Sequence, residues 1–221
     1  MKSNPLFKSA SVALAAAVLS SAAWAAPVVF TETNTGNLTS TAEIAAPAGF
    51  GELQIRGKFA DGSGGFDTNL VDLYGFSITN AGRYFFNTVG SDVADTQLFL
   101  FDAAGKGLAW NNDVSTTPVD TWSALDAFLD VGNYFIGVSV FGLDPFDDAF
   151  ESIFDTLGNG GAALAGTGAL AGWADFSGAT IFDRVDYVIT AYVPTPGALS
   201  LALAALGLMA GVSARARRNA A

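Results

Sequence analysis

The chain has 221 residues, ten Lys or Arg against 21 Asp or Glu, a net charge of −11, and no cysteine or histidine. No disulfide framework, thiolate or imidazole metal site, or His-dependent catalytic triad can therefore be built from it. Its 18 phenylalanines and many β-branched residues favour strands over helices.

The first segment reads as an export signal. Lys2 and Lys8 form a positive n-region, Ser9 to Leu19 an apolar h-region, and Ala23-Trp24-Ala25 a small-x-small cleavage site. Met1 to Ala25 is thus expected to be a signal peptide handled by the Sec export machinery, with cleavage before Ala26. An uncleaved anchor is the alternative, and the h-region is short for a membrane span. Residues 26–50 form a Thr/Asn/Ala-rich extension in which Val28-Val29-Phe30 has the look of an edge strand. Asn37-Leu38-Thr39 fits a glycosylation sequon and is read as coincidence.

Strand patterning sharpens from Leu53. Leu53, Ile55, Gly57 and Phe59 alternate with Gln54, Arg56 and Lys58, and Asp61 to Gly65 breaks the run as a loop. Asp72 to Ile78 puts Tyr74, Phe76 and Ile78 on one side. A Thr79-Asn80-Ala81-Gly82 turn returns the chain through Arg83 to Val89, with Tyr84 and Phe86 inward, a hairpin signal. The continuous apolar run Leu98 to Phe101 predicts a central strand. Asp102 to Gly105 turns it into Gly107 to Trp110, which ends at Asn111-Asn112-Asp113. Trp122 to Leu129 is open between strand and short helix, and Tyr134 to Phe141 is a second strongly apolar strand. Asp144 to Asp155 mixes acids with phenylalanines, Gly158 to Gly172 is read as a long Gly/Ala loop, and Arg184 to Tyr192 is the last strand. Short strands at even spacing with Gly/Asn/Asp turns predict an all-β, antiparallel sandwich over residues 51–192.

Residues 193–221 differ from everything before them. Pro194-Thr195-Pro196-Gly197 precedes an uncharged Leu/Ala/Gly run from Ala198 to Ala214, and Arg215, Arg217 and Arg218 follow. Seventeen helical residues reach about 25 Å, near the short end for a bilayer core of about 30 Å. Arginines at the end favour the cytoplasmic side. A transmembrane helix is expected; a C-terminal helix buried in a soluble domain is the alternative, and the arginines just outside the run argue against it. With both ends removed, residues 26–193 hold all 21 acids and five basic residues, Arg56, Lys58, Arg83, Lys106 and Arg184, a balance of −16. Such a surface repels phosphate backbones, so no nucleic-acid partner is expected, and it attracts divalent cations or basic partners.

The tail resembles the bacterial PEP-CTERM sorting signal, a Pro-Glu-Pro motif followed by a hydrophobic helix and an Arg-rich end. Pro194, Pro196, the apolar run and Arg215, Arg217 and Arg218 match, whereas Thr195 replaces the usual Glu. That resemblance implies processing by an exosortase-type membrane enzyme and an association with exopolysaccharide and biofilm. The middle region is similar to the bacterial pre-peptidase C-terminal domain. Asp72-x-Tyr74-x-Phe76-x-Ile78 is followed by Asp95-Thr96-x-Leu98-x-Leu100-Phe101-Asp102-x-x-Gly105, Leu108-Ala109-x-Asn111-x-Asp113 and Gly132-x-Tyr134-x-Ile136-x-Val138. Gly172-Trp173 and a Tyr187 to Thr190 strand complete it. This second likeness implies a jelly-roll-like β-sandwich.

Little chemistry is available. No Gly-x-Ser-x-Gly or phosphate-cradling motif occurs. A carboxylate pair remains as a hydrolase option, but 21 acids offer too many pairs to single one out. Calcium suits oxygen-rich loops, and Asp95, Asp102, Asn111 and Asp113 are the candidate ligands, with Asp147, Asp148 and Glu151 a weaker cluster. The competing reading is that these are turn-forming residues. Trp110, Trp122 and Trp173 would stack on sugars if exposed, and otherwise belong to the core. The sequence thus favours an exported, non-catalytic surface or matrix protein, with a carbohydrate- or calcium-binding adhesion module and a hydrolase as rivals.

Overall fold

A computed structural model describes residues 27–59, 70–92, 95–114, 121–175 and 186–192. The predicted signal peptide, the Asp61 to Gly65 loop, and the sorting motif with its apolar run and arginines lie outside these residues. Among the described residues no helix occurs, hence none long and apolar enough to cross a membrane.

The alternating runs form strands in the expected order. They are β1 (Val28–Thr31), β2 (Glu43–Ala46), β3 (Glu52–Lys58), β4 (Val71–Ile78), β5 (Gly82–Asn87), β6 (Thr96–Asp102) and β7 (Gly107–Asn111). Then come β8 (Ala124–Leu129), β9 (Gly132–Val140), β10 (Leu143–Phe146), β11 (Gly160–Ala162), β12 (Gly172–Asp175) and β13 (Asp186–Tyr192). One sheet has the order β1-β3-β13-β5-β8 and the other β11-β7-β6-β9-β4-β2, while β10 and β12 form a separate pair. Of the ambiguous Trp122 to Leu129 stretch, Ala124–Leu129 resolves as strand, pairing with β5 and burying Leu125 and Leu129.

Inward residues of both large sheets meet in one core. Leu53, Ile55, Tyr84, Phe86, Leu125 and Ile189 come from the first sheet, and Tyr74, Phe76, Leu98, Leu100, Ile136 and Val138 from the second. This is a β-sandwich. The sheets are mixed rather than wholly antiparallel. β1 runs parallel to β3, and β2 parallel to β4. Both parallel pairs come from the segment before Gly51, whose short strands add edges to a body already paired antiparallel.

The Gly/Ala stretch is not simply a long loop. Gly160–Ala162 is β11 on the edge of β7, Ala163 bridges Phe154, Ala169 bridges Lys106, and Gly172 begins β12. Together with the acidic, Phe-containing segment it covers the outer face of the second sheet. There Leu73, Phe99, Phe101 and Trp110 pack on Ile153, Phe154, Leu170 and Trp173. Small residues are needed for that closeness: a Cβ on Gly107 would lie 2.5 Å from Ile153 Cγ2, and one on Gly172 2.4 Å from Phe146 Cζ.

Candidate functional site

The pairing of β6 with β7 sets Leu98 opposite Asn111, so the start of one strand and the end of the other share a pole of the sandwich. Asp95 precedes the first strand, and Asn112 and Asp113 follow the second. Hydroxyls and amides fix the backbone there. Ser123 Oγ donates to Asn112 O at 2.6 Å, and Ser123 N donates to Thr88 Oγ1 at 2.8 Å. Thr96 N donates to Thr121 O at 3.1 Å, and Val114 N to Trp122 O at 2.6 Å. Trp122 closes the pole from the side, its indole N–H donating to Ser91 O at 3.3 Å.

Within this frame some acceptors have no donor. Asp95 Oδ1 and Asn112 Oδ1 are both buried without a hydrogen-bond partner. Asn112 is only 8% exposed, and its amide nitrogen donates to Asp113 Oδ2 at 3.2 Å, which turns its own oxygen away from that carboxylate. Burial, and then the charge of Asp113, push the Asp95 carboxyl up to about 6. A buried oxygen left unsatisfied costs about 1–3 kcal/mol.

The four ligand candidates do not gather as a set. Asp95 and Asp113 come within electrostatic reach of each other. Asn111 is consumed by structure: its Oδ1 accepts from Ala124 N at 2.8 Å and its Nδ2 donates to Asn159 O at 2.7 Å. Asp102 lies at the other end of a seven-residue strand, about 23 Å away at the usual strand rise. There its Oδ1 accepts from Ala104 N at 2.8 Å and Lys106 N at 2.9 Å, which caps the turn. Asn112, the member of the polar triplet whose side-chain oxygen accepts no hydrogen bond, meets Asp113 through its amide nitrogen instead. Strand parity carried a signal for this: Asn111 is still in the ladder, and Asn112 is the first residue beyond it.

The second acidic cluster is also structural at its centre. Asp147 Oδ1 accepts from Ala149 N and Glu151 N, both at 3.0 Å, and Oδ2 accepts from Gly168 N at 2.7 Å. These donors hold its carboxyl below the ordinary Asp range. The tryptophans do not form an exposed platform. Trp110 is buried, and Trp173 is half-buried against Phe99 and Phe101 with its indole N–H on Asn37 O at 2.7 Å.

A third polar cluster ties the sheets together. Tyr187 Oη on β13 donates to Asp72 Oδ2 on β4 at 2.6 Å and also meets the Tyr74 hydroxyl, with Glu32 Oε2 3.4 Å away. Burial raises both phenols, Tyr187 far above its ordinary value, so they act as donors and not as bases. A shallow cleft lined by Thr31, Glu32, Arg56, Gly57, Lys58 and Asp186 reaches Tyr187. Its hydroxyl fits only because residue 57 lacks a Cβ, which would lie 2.2 Å from it.

No family model matches the chain, and no curated protein matches it. Among solved structures, it is similar to the pre-peptidase C-terminal domain of a collagenase from Bacillus anthracis. Identity is 10% and the TM-score 0.34, over 74% of this chain and 99% of that one. So low a score leaves the architecture to be read from the strands and their pairing alone.

Proposed function

We propose that this chain is an exported, non-catalytic component of the cell surface or extracellular matrix, delivered by an exosortase-type system and associated with exopolysaccharide. Its sandwich, by the order of its motifs, would be of the pre-peptidase C-terminal type. Support comes from the two apolar termini, the arginines at 215, 217 and 218, and the −16 balance of the region between. One structural observation carries the reading furthest. β13 ends at Tyr192 in the middle of its sheet, flanked by β3 and β5, directly before the Val193-Pro194-Thr195-Pro196 segment. The central ladder is therefore complete before the tail begins, and a cut near Pro194 would leave every described strand in place. The carbohydrate alternative loses its motive in the tryptophans, which are committed to packing.

The test is a comparison of the intact chain with one ending at Tyr192, both expressed in the native host and followed by fractionation and terminal sequencing. The intact product is expected outside the inner membrane with Ala26 as its first residue, and the shortened one is expected to be distributed differently. Identical distributions, or an intact product in the cytosol, would overturn the reading.

A further inference from the structure

We propose that copies of this chain associate head to tail, the turn that carries Phe150 seating on the outer face of the first sheet of the next copy. This inference stands independently of how the chain is sorted. It begins from the two most exposed aromatic rings among the described residues, Phe150 at 72% and Phe128 at 71%. Their surroundings differ in charge. Phe150 stands among the exposed carboxylates Asp148 and Glu151, at the tip of the turn closed by the Phe146–Ser152 bridge. Phe128 lies across the ladder from Arg83, on the face from which Arg56 and Lys58 also project. The tip is fixed before anything docks: Asp147 Oδ1 accepts from Ala149 N and Glu151 N, and Phe150 N donates to Asp147 O at 3.0 Å. Phe150 itself has φ 64°, a left-handed backbone that favours glycine. Its ring stacks on Phe146 with centroids 4.2 Å apart and is otherwise open to solvent.

The receiving face offers both kinds of contact. Phe85 and Tyr192 stack there with centroids 5.5 Å apart, near Phe128, and give an incoming ring something to pack on. Arg56 and Lys58 are exposed on β3, and neither joins a salt bridge; among the described residues that of Arg83 with Asp126 is the one formed. Three of the five basic residues between positions 26 and 193 thus project from this face, against Glu52, Asp126 and Asp186, while the rest of the body carries the acidic excess. An acidic tip therefore meets cations here and repulsion elsewhere. The tip belongs to the cover of the second sheet, so within one molecule the core lies between it and the open face. The two can meet only between copies. Such a contact leaves one tip and one face free at each end, and association continues as a filament. Repulsion between the acidic bodies is screened beyond about 8 Å at physiological salt, which leaves the contact pairs to decide.

The chain has no cysteine, so introduced thiols report the contact without background. The full chain, in mild detergent at about 0.15 M salt, is treated with a short bifunctional maleimide. Thr190→Cys on the open face combined with Ala149→Cys beside the tip ring should cross-link into a ladder of dimers, trimers and higher forms. Either substitution alone should leave the chain monomeric, because face does not meet face and tip does not meet tip. In the double-cysteine chain, Arg56→Glu with Lys58→Glu should cut the ladder by roughly tenfold or more, as should Asp148→Lys with Glu151→Lys. A chain carrying all four charge reversals should recover it, which a purely structural role for these residues would not give. Phe150→Gly should weaken the ladder comparably and still melt within a few degrees of the wild type, because the strained backbone is relieved as the ring is lost. No ladder in the double-cysteine chain would overturn the proposal. So would an equally strong ladder in a single-cysteine chain, which would mark a like-to-like contact or clustering through the termini. A ladder indifferent to the charge reversals or to Phe150→Gly would overturn it as well. If a charge-reversed chain fails to fold, Phe150→Gly and the single-cysteine chains decide.

Discussion

The two large sheets share one core but treat their outer faces in opposite ways. On the second sheet the outer side chains Leu73, Phe99, Phe101 and Trp110 are buried under the segment from Asp144 to Asp175, so β4 and β6 are covered on both sides. On the first sheet the outer face carries Arg56, Lys58, Arg83, Phe85, Asp126 and Tyr192. Its aromatic contact there, Phe85 against Tyr192, has ring centroids 5.5 Å apart and both rings partly exposed. Arg83 pairs with Asp126 beside it at the surface. The lesson concerns composition. The same alternation builds both sheets, but among the described residues only the one whose outward positions are also apolar carries a third layer.

The largest expected effect tests that contrast with one residue type. Phe99→Ala removes a ring packed on Trp110, Phe154 and Trp173 and should cost about 3–5 kcal/mol in urea unfolding. Phe85→Ala on the open face should cost no more than about 1.5 kcal/mol. Equal losses would mean that the two faces are energetically alike and that the cover contributes little.

Glycines give a smaller effect with a sharper geometric origin. Gly107→Ala drives a methyl toward Ile153, Phe154 and Ala163, at 2.5, 2.7 and 2.9 Å, and should destabilise by about 1–3 kcal/mol. Gly82→Ala, on the open sheet with nothing within 4 Å of its Cβ, should leave stability unchanged or raise it by up to about 1 kcal/mol. A neutral Gly107→Ala would show that the cover yields easily and is not closely packed.

The smallest effect separates the cover from the sandwich by pH. The Asp147 carboxyl, held low by three backbone donors, contributes stability that is present above the unfolded value of about 3.9 and lost as pH falls through its lower folded value. Acidification through that range should therefore loosen the 147–168 connection. Trp173, which packs in this layer, should report the change in fluorescence, and Asp147→Asn should flatten that part of the acid transition. An acid transition of unchanged shape in that variant would place the sensitive carboxylate elsewhere.

Much of the sandwich was legible because its strands carry a period of two and its turns carry Gly, Asn and Asp. Leu53, Ile55, Tyr74, Phe76, Tyr84 and Phe86 all face the core as their alternation requires. β2 and β11 were not legible. Glu43–Ala46 and Gly160–Ala162 are too short to signal themselves, and they are strands because a neighbouring edge offers hydrogen bonds. At the pole, oxygen-rich composition singled out a loop, and the part each member plays could not be read from it. Whether an Asx oxygen is spent on a backbone N–H depends on where the chain folds back, as with Ala124 N on Asn111.

By itself the sequence determined the strand-rich character, the exclusion of imidazole and thiol chemistry, the acidity of the middle region and the contrast between that region and its apolar ends. These follow from residue identity and local periodicity. Tertiary structure alone decided the mixed sheet order, the third layer over β4 and β6, and the use of the Asn111 side-chain oxygen on the distant Ala124 N. Each depends on which distant backbone group or ring arrives beside a given side chain, and that is settled by long-range pairing.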